Sequence, residues 1–472
     1  MLTIIPIDTP TLGDRSYLAH DGHVAVVVDP QRDIDRVQAL AAAAGVRITN
    51  VFETHIHNDY VTGGYALAAA TGAAYHVNAD DEVTFDRVPV RDGDVIAVGD
   101  RMRITVMATP GHTFTHLAYA LGYFDGDGWL PAGVFTGGSL LHGAVGRPDL
   151  LGPGHTDALA RQQYASAHRL AALQDDTRVL PTHGFGSFCA ATQSAADTST
   201  IGTEKTVNPA LTRDVNTFIT ELLAGLDAWP AYYAHMAAAN SVGPTQSTVD
   251  LPERADPAAI RARLAAGEWV VDLRHRIAFA AGHVAGTLNI GLDGSFATYL
   301  GWLIPHGTPL TLLANTPEQV LEARRELSRI GIDPAAHATG GPAAWSAGAP
   351  LRSYPRATFA DLAQVRHHRP VIVLDVRRNL EHADSHLDGA VHIPLHELAA
   401  RLGDLPDGEI WVHCAAGYRA SIAASILTAA GRRVVHIDDE YTNAHPAAIA
   451  AGAPAASASG LAPYSKERSE CP

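Results

Sequence analysis

Two stretches of this 472-residue chain repeat one another without a gap, and that repeat limits the fold more than any other feature. VVDLRHRIAFAAGHVAGTLNI begins at Val270 and VLDVRRNLEHADSHLDGAVHI at Val373; Asp272 and His283 lie 11 residues apart, as do Asp375 and His386. Each unit opens with a helix, then has an apolar strand ending in Asp and Arg, and later a second strand followed by a helix. Strands alternating with helices predict an α/β domain with a central parallel sheet, used twice, over residues 251–350 and 356–455. Two such cores need apolar material, and the chain has 47% hydrophobic against 18% charged residues. At about 150 residues per domain, the length leaves room for a third unit.

That unit spans residues 1–245. HVAVVVDP (23–30) predicts a buried strand stopped by Asp29 and Pro30, and DIDRVQALAAAAG a helix ended by Gly45. RITNVFETHIHNDY is a strand running into a polar loop, TGGYALAAATG a short helix, and GDVIAVGDRMRITVMATPGHT two strands around a Gly-Asp turn. HLAYALGYF adds another strand, and VLPTHGFG closes the series. Residues 205–245 predict amphipathic helix, clearest in LTRDVNTFITELLAGLDAW; NSVGPTQSTVDLPERADP then predicts a linker. The low-complexity end, residues 456–472, predicts a mobile tail.

The formal net charge of −16, with no Lys/Arg-rich block, argues against nucleic acid or an anionic membrane as the main partner. Cys189, Cys414 and Cys471 lie too far apart for a disulfide framework, which suits a reducing compartment. The N-terminal residues show no basic segment before an apolar one, and about 18 consecutive apolar residues occur nowhere. A cytoplasmic protein is expected.

The chemistry gathers at strand ends. In Thr54-His55-Ile56-His57-Asn58-Asp59-Tyr60 the two histidines are two residues apart, so on extended backbone both face one side. His112 in TPGHT and His183 in PTHG sit at comparable strand-to-loop transitions. Imidazole and carboxylate together suit zinc or ferrous iron. Farther on, strand EIWVH runs into Cys414-Ala415-Ala416-Gly417-Tyr418-Arg419 and then helix ASIAASILTAAG. A cysteine between a buried strand and a helix start meets the positive end of the helix dipole and a ring of backbone N–H groups, which favour thiolate and would hold an anionic persulfide. Gly417 allows the tight curve, and Arg419 can brace the loop or an anionic donor. The first repeat has Asn315 where this cysteine should stand, and an amide accepts no sulfur.

On THIHNDYVTGG, ATPGHT, VFTGGSLLHGAVGRPDL and LPTHGFGS the chain resembles the metallo-β-lactamase superfamily, whose signature is H-x-H-x-D-H, and within it the persulfide dioxygenases and their rhodanese fusions. The resemblance implies an αββα sandwich with the metal at the strand ends. It places the iron ligands of persulfide dioxygenases on His55, His112 and position 138, which here is Gly138. The last histidine of the signature is Tyr60. Without a bridging carboxylate and that histidine, a two-metal site is not expected. The remaining first-position set is His55, His57 and His112, holding one Fe(II) or, alternatively, Zn(II), with Asp59, His183 and Tyr60 as supporting or second-site residues. His116 and Asp149 are expected in supporting roles, and Cys189 is expected to be packed.

VLDVR, SHLDGAVHIPL and HCAAGYR give residues 356–440 a resemblance to rhodaneses, and the four residues between Cys414 and Arg419 match that family's sulfur-sized loop. Together the resemblances imply a low-molecular-weight thiol persulfide, such as that of glutathione, oxidised to sulfite at the metal, with Cys414 moving sulfur between persulfide, thiosulfate and thiols. The alternatives are a zinc thioester hydrolase and a metal-free scaffold with a sulfur-carrier rhodanese unit. Partners are then small molecules, with no nucleic acid and no membrane; homo-oligomerisation is left open.

Overall fold

The computed structural model describes residues 2–192, 196–247 and 250–444 and the backbone of 449–451. The expected tail and Cys471 lie outside the described residues.

Two six-stranded sheets form the first unit. One runs in the order Thr3–Thr9, Asp14–His20, Val24–Val28, Arg47–Phe52, Ala74–Asn78, Val88–Val90. The other runs Ser199–Thr200, Arg178–Pro181, Trp129–Gly137, Leu117–Phe124, Met102–Ala108, Val95–Val98. Their facing sides bury Tyr17, Val26, Phe52, Ile104, Tyr119 and Phe135 in one core. The outer faces carry helices: Asp35–Ala44 and Gly64–Thr71 cover the first sheet, and Thr156–Leu170 and Val215–Ala224 the second. This is the αββα sandwich that the resemblance implied. The run Val24–Val28 is continuous in valine and alanine because both its faces are covered, and the helix after it ends where Gly45 adopts φ 66°.

The expected helical stretch over 205–245 is broken into Ile201–Val207, Pro209–Thr212, Val215–Ala224 and Tyr233–Ser241. Pro209 and Asp214 each start a new helix, Asp214 accepting from the N–H groups of Asn216 and Thr217.

Two five-stranded parallel sheets follow, with the same strand order. The first is Glu253–Arg254, Ala336–Thr339, Leu310–Ala314, Trp269–Asp272, Leu288–Asn289. The second is Arg356–Ala357, Arg433–Ile437, Glu409–His413, Ile372–Asp375, Val391–His392. The repeated Asp-x-Arg does the same work in both. Arg274 forks onto Asp272 and reaches the Gly282 carbonyl; Arg377 forks onto Asp375 and reaches the Ser385 carbonyl. Each guanidinium also lies over an aromatic ring, Trp345 in the first unit and Tyr441 in the second.

All three units feed one apolar cluster. Leu12, Tyr60, Val61 and Cys189 join Val271, Phe279 and Leu300 of the first parallel-sheet unit and Leu374, Val412, Cys414 and Ile422 of the second. Ion pairs reinforce the seams: Arg329 reaches Asp33 at 2.7 Å with both groups buried, and the partly buried Arg276 reaches Asp438 at 2.7 Å. No helix among the described residues is long and apolar enough to cross a membrane.

Candidate functional site

Strand Val24–Val28 ends in Asp29, whose φ of 52° is one of two positive values at non-glycine positions among the described residues. Such a backbone is held only where surroundings over-determine it. Here its buried carboxylate accepts from the Thr54 N–H and hydroxyl at 2.7 Å each and from the Thr182 hydroxyl, tying together the ends of three strands. The histidine loops hang from this knot.

Five imidazoles pack in the interior where those loops meet. Ring centroids are 4.1 Å apart for His55–His57, 4.8 Å for His55–His112, 5.2 Å for His112–His183 and 4.9 Å for His55–His116. Four of the rings have one nitrogen fixed by oxygen partners. Thr54 gives its hydroxyl proton to Asp29, so it accepts from His55 Nδ1 at 2.9 Å. His112 Nδ1 donates to the Arg147 carbonyl at 2.9 Å, and His183 Nδ1 to Asp14 at 2.9 Å. His57 Nε2 faces Glu53 at 3.1 Å and Asp29 at 3.3 Å. The other nitrogen of each ring is left as a ligand atom: Nε2 of His55, His112 and His183, and Nδ1 of His57. His112 Nε2 and His57 Nδ1 have no hydrogen-bond partner although buried.

Electrostatics divides these rings. Burial, aided by neighbouring imidazoles, drives His55 well below the ordinary imidazole value and His112 down to about 3. Burial acts the same way on His57 and His183, but carboxylates outweigh it: Asp29 and Glu53 lift His57 to about 9, and Asp59 and Asp14 lift His183 to about 10. In the absence of an ion, protons on these two rings carry the positive charge that the pocket's carboxylates demand.

One ligand atom from each of His55, His57 and His183 lies within 4.8 Å of the other two; the same holds for His112, His183 and Cys189. The expected set His55, His57 and His112 does not form such a group by itself among the described residues. His183, expected as a supporting or second-site residue, is the ring common to both groups. The arrangement follows from the anchors: Glu53 and Asp29 draw His57 one way, and the Arg147 carbonyl holds His112 the other.

Gly138 proves to be part of the design. A Cβ built there would lie 2.4 Å from His112 Cδ2 and 3.0 Å from its Nε2, so the imidazole occupies the space a side chain would need. Tyr60 is equally committed: its ring stacks on His57 at 4.3 Å, and its hydroxyl lies 3.0 Å from His57 Nε2. His116 is spent on support, its Nδ1 against the Thr109 hydroxyl and its Nε2 accepting from the Gly138 N–H. Asp149 forks onto Arg147 at 2.7 Å. Asp59 sits 3.2 Å from His183 Nδ1.

The second candidate lies at the end of strand Glu409–His413. Cys414 is buried, and the helix begins at Tyr418, so Tyr418 and Arg419 occupy its first turn rather than the loop. Gly417 has φ 85° and supplies the turn, and a Cβ there would strike Asp438. The carbonyl of Ala415 accepts from the Tyr441 N–H at 2.7 Å, and that of Gly417 faces His436 Nε2 at 2.9 Å. These partners turn two carbonyls onto other groups, while Ala415, Ala416 and Gly417 carry the chain around the sulfur. Tyr418 donates to the Gly291 carbonyl of the first parallel-sheet unit.

Arg419 departs from expectation. Its guanidinium forks onto Glu381 at 2.5 and 2.7 Å, so it is already paired and is not free to receive an anionic donor. Burial opposes ionisation of Glu381, yet Arg419 and Arg378 hold its carboxyl down to about 2. Arg378 instead is the half-open cation, lining a cavity with Tyr299, Trp302, Val376, His396 and Arg419. Glu53, Asp14, Glu381 and Arg378 carry no spacing signal in the sequence, and Asp29 reads there only as the end of a strand.

Residues 358–444 match the family model for a rhodanese-like domain. The hydroxyacylglutathione hydrolase of Polaromonas sp. (strain JS666) is 36% identical over 165 residues, covering 34% of this chain and 57% of the relative. That of Methylobacillus flagellatus is 33% identical over 186 residues, covering 39% of this chain and 67% of the relative. The chain thus spans 57% and 67% of the length of these two curated relatives. Among solved structures, a metallo-beta-lactamase from Staphylococcus aureus superposes with a TM-score of 0.63 at 29% identity, covering 71% of this chain and 98% of the other. The chain belongs to the metallo-β-lactamase-fold family of the hydroxyacylglutathione hydrolases and carries a rhodanese-like domain behind that fold.

Proposed function

We propose that this protein is a sulfur-metabolism enzyme in which a one-metal site acts on a low-molecular-weight persulfide and Cys414 carries sulfur. The reading is supported by a buried cluster of imidazole lone pairs in the same chain as a strand–cysteine–helix loop. The two orphaned ring nitrogens, His57 Nδ1 and His112 Nε2, support a cluster suited to an ion. His183 would hold it together with His55, His57 or His112, and the ion, as Fe(II), would supply open positions and a redox-active centre through which the sulfur's electrons pass to oxygen. Glu53, Asp14 and the Arg147 carbonyl keep the ring orientations fixed. Full burial of the five rings keeps bulk water out.

At the other site the Cys414 thiolate attacks the outer sulfur of a persulfide R–S–SH. The S–S bond of the persulfide breaks, R–S⁻ leaves as thiolate and a new S–S bond forms on Cys414, which then passes that sulfur to an acceptor thiol or to sulfite. Residues 251–350, with Asn315 at the corresponding strand end, act here as a rhodanese-like unit without a nucleophile that buttresses the working one through Arg276 and Tyr418.

A second reading is a Zn(II)-dependent thioester hydrolase, favoured by the names of the curated relatives. Anaerobic iron loading followed by oxygen uptake with glutathione persulfide, beside hydrolysis of a glutathione thioester, separates the two. Oxygen uptake without thioester hydrolysis supports the first reading, and the reverse result replaces it with the second. Cys414→Ser should abolish sulfur transfer from thiosulfate and leave oxygen uptake intact.

A further inference from the structure

Cys189 was expected to be a packed residue, and it is buried. Its surroundings are not those of a filler. One ligand atom each from Cys189, His112 and His183 lies within 4.8 Å of the other two. His112 and Cys189 are held to the same backbone residue: His112 Nδ1 donates to the Arg147 carbonyl, while the Arg147 N–H donates to the Cys189 carbonyl at 2.8 Å. Arg147 is itself fixed, forked onto Asp149 and donating to the carbonyls of Phe188 and Asp227. This leaves His112 Nε2 buried and without a partner, on the ring that lies 5.2 Å from His183. His183 has its Nδ1 committed to Asp14 and Asp59, so its Nε2 is the atom available on this side.

The charge balance points the same way. A divalent ion beside imidazoles alone lacks an anionic ligand, and Gly138 offers none; the His112 ring fills the room a carboxylate there would need. Asp14 and Asp59 also group with His183, but both carboxylates sit against its Nδ1; the anionic donor that groups with His112 and His183 together is the Cys189 thiolate, whose softness suits zinc, ferrous iron or cobalt.

We propose that this chain holds its metal ion with a thiolate, through Cys189 Sγ and the Nε2 atoms of His112 and His183. On binding, the Sγ–H bond of Cys189 and the Nε2–H bond of the protonated His183 ring break, metal–sulfur and metal–nitrogen bonds form and two protons leave to solvent; nothing is oxidised or reduced. The inference rests on the metal-site reading above and deepens it by naming the donor that replaces the missing carboxylate.

Cobalt(II) tests it without reference to activity. In a full-length Cys414→Ser, Cys471→Ser background Cys189 is the sole thiol. The apoprotein is titrated with cobalt(II) and followed by near-ultraviolet absorption and by bound-metal analysis. The expected result is one bound cobalt with a thiolate-to-metal charge-transfer band. Cys189→Ser should lose the band and weaken binding about 10- to 100-fold, whereas His55→Ala should keep the band. Stoichiometric cobalt without the band overturns thiolate ligation and leaves the metal reading intact. No bound cobalt or zinc in the parent overturns both.

Discussion

Gly138 and His112 exclude one another's alternatives. A methyl group at 138 would sit well inside van der Waals contact with the imidazole, and that ring is pinned by Arg147 and cannot simply withdraw. Gly138→Ala is expected to cost about 2 kcal/mol, the range for overpacking a tight interior, measured by chemical denaturation. The Glu381–Arg419 pair yields a pH prediction. The Glu381 carboxyl lies below its ordinary 4.5, at about 2, so its stabilising contribution is complete above about pH 4.5 and fades as pH falls through 2. Denaturation of the parent and of Glu381→Gln should show the stability gap between them narrowing across that window; a gap that stays constant with pH would count against the pairing. At this scale the sequence was least legible. His55, His57 and Cys414 stand out because neighbours in the chain mark them. Asp29 acts on Thr182, 153 residues away, Asp14 on His183, 169 away, and Glu381 on Arg419, 38 away, and only folding brings those partners together.

Elements were far easier to read, because their determinants are local. The Asp-x-Arg at the end of Trp269–Asp272 and again of Ile372–Asp375 is a fork closed between residues two apart, and the duplicated pattern therefore announces the duplicated sheet. Gly45 ends its helix where the sequence places the end, whereas the breaks at Pro209 and Asp214 follow cap chemistry that the amphipathic period conceals. The sulfur loop is a case in which an element depends on one backbone angle. Gly417→Ala forces a side chain into φ 85° and against Asp438 Oδ1 at 2.4 Å. It should cost about 2 kcal/mol and depress sulfur transfer from thiosulfate, while metal content stays that of the parent. Equal loss at both sites would show that the loop is not the separate element it is taken to be.

Across the whole molecule, the pairing of Arg329 with Asp33 crosses from the first parallel-sheet unit to the sandwich with both groups buried. Arg36 and Arg325 remain beside Asp33 when Arg329 is removed, so Arg329→Ala should cost about 2 kcal/mol rather than the larger penalty of a stranded buried charge. Hydrogen exchange should quicken on both sides of that seam together. The reason lies in the apolar cluster that begins at Leu12 and ends only at Val434. Cutting the polypeptide at the connector near residue 250 would leave an oily flank on each fragment. Neither half is then portable: grafted onto another carrier, it would arrive with a raw, sticky side, and substitutions along the shared flank must be accepted by both halves in step.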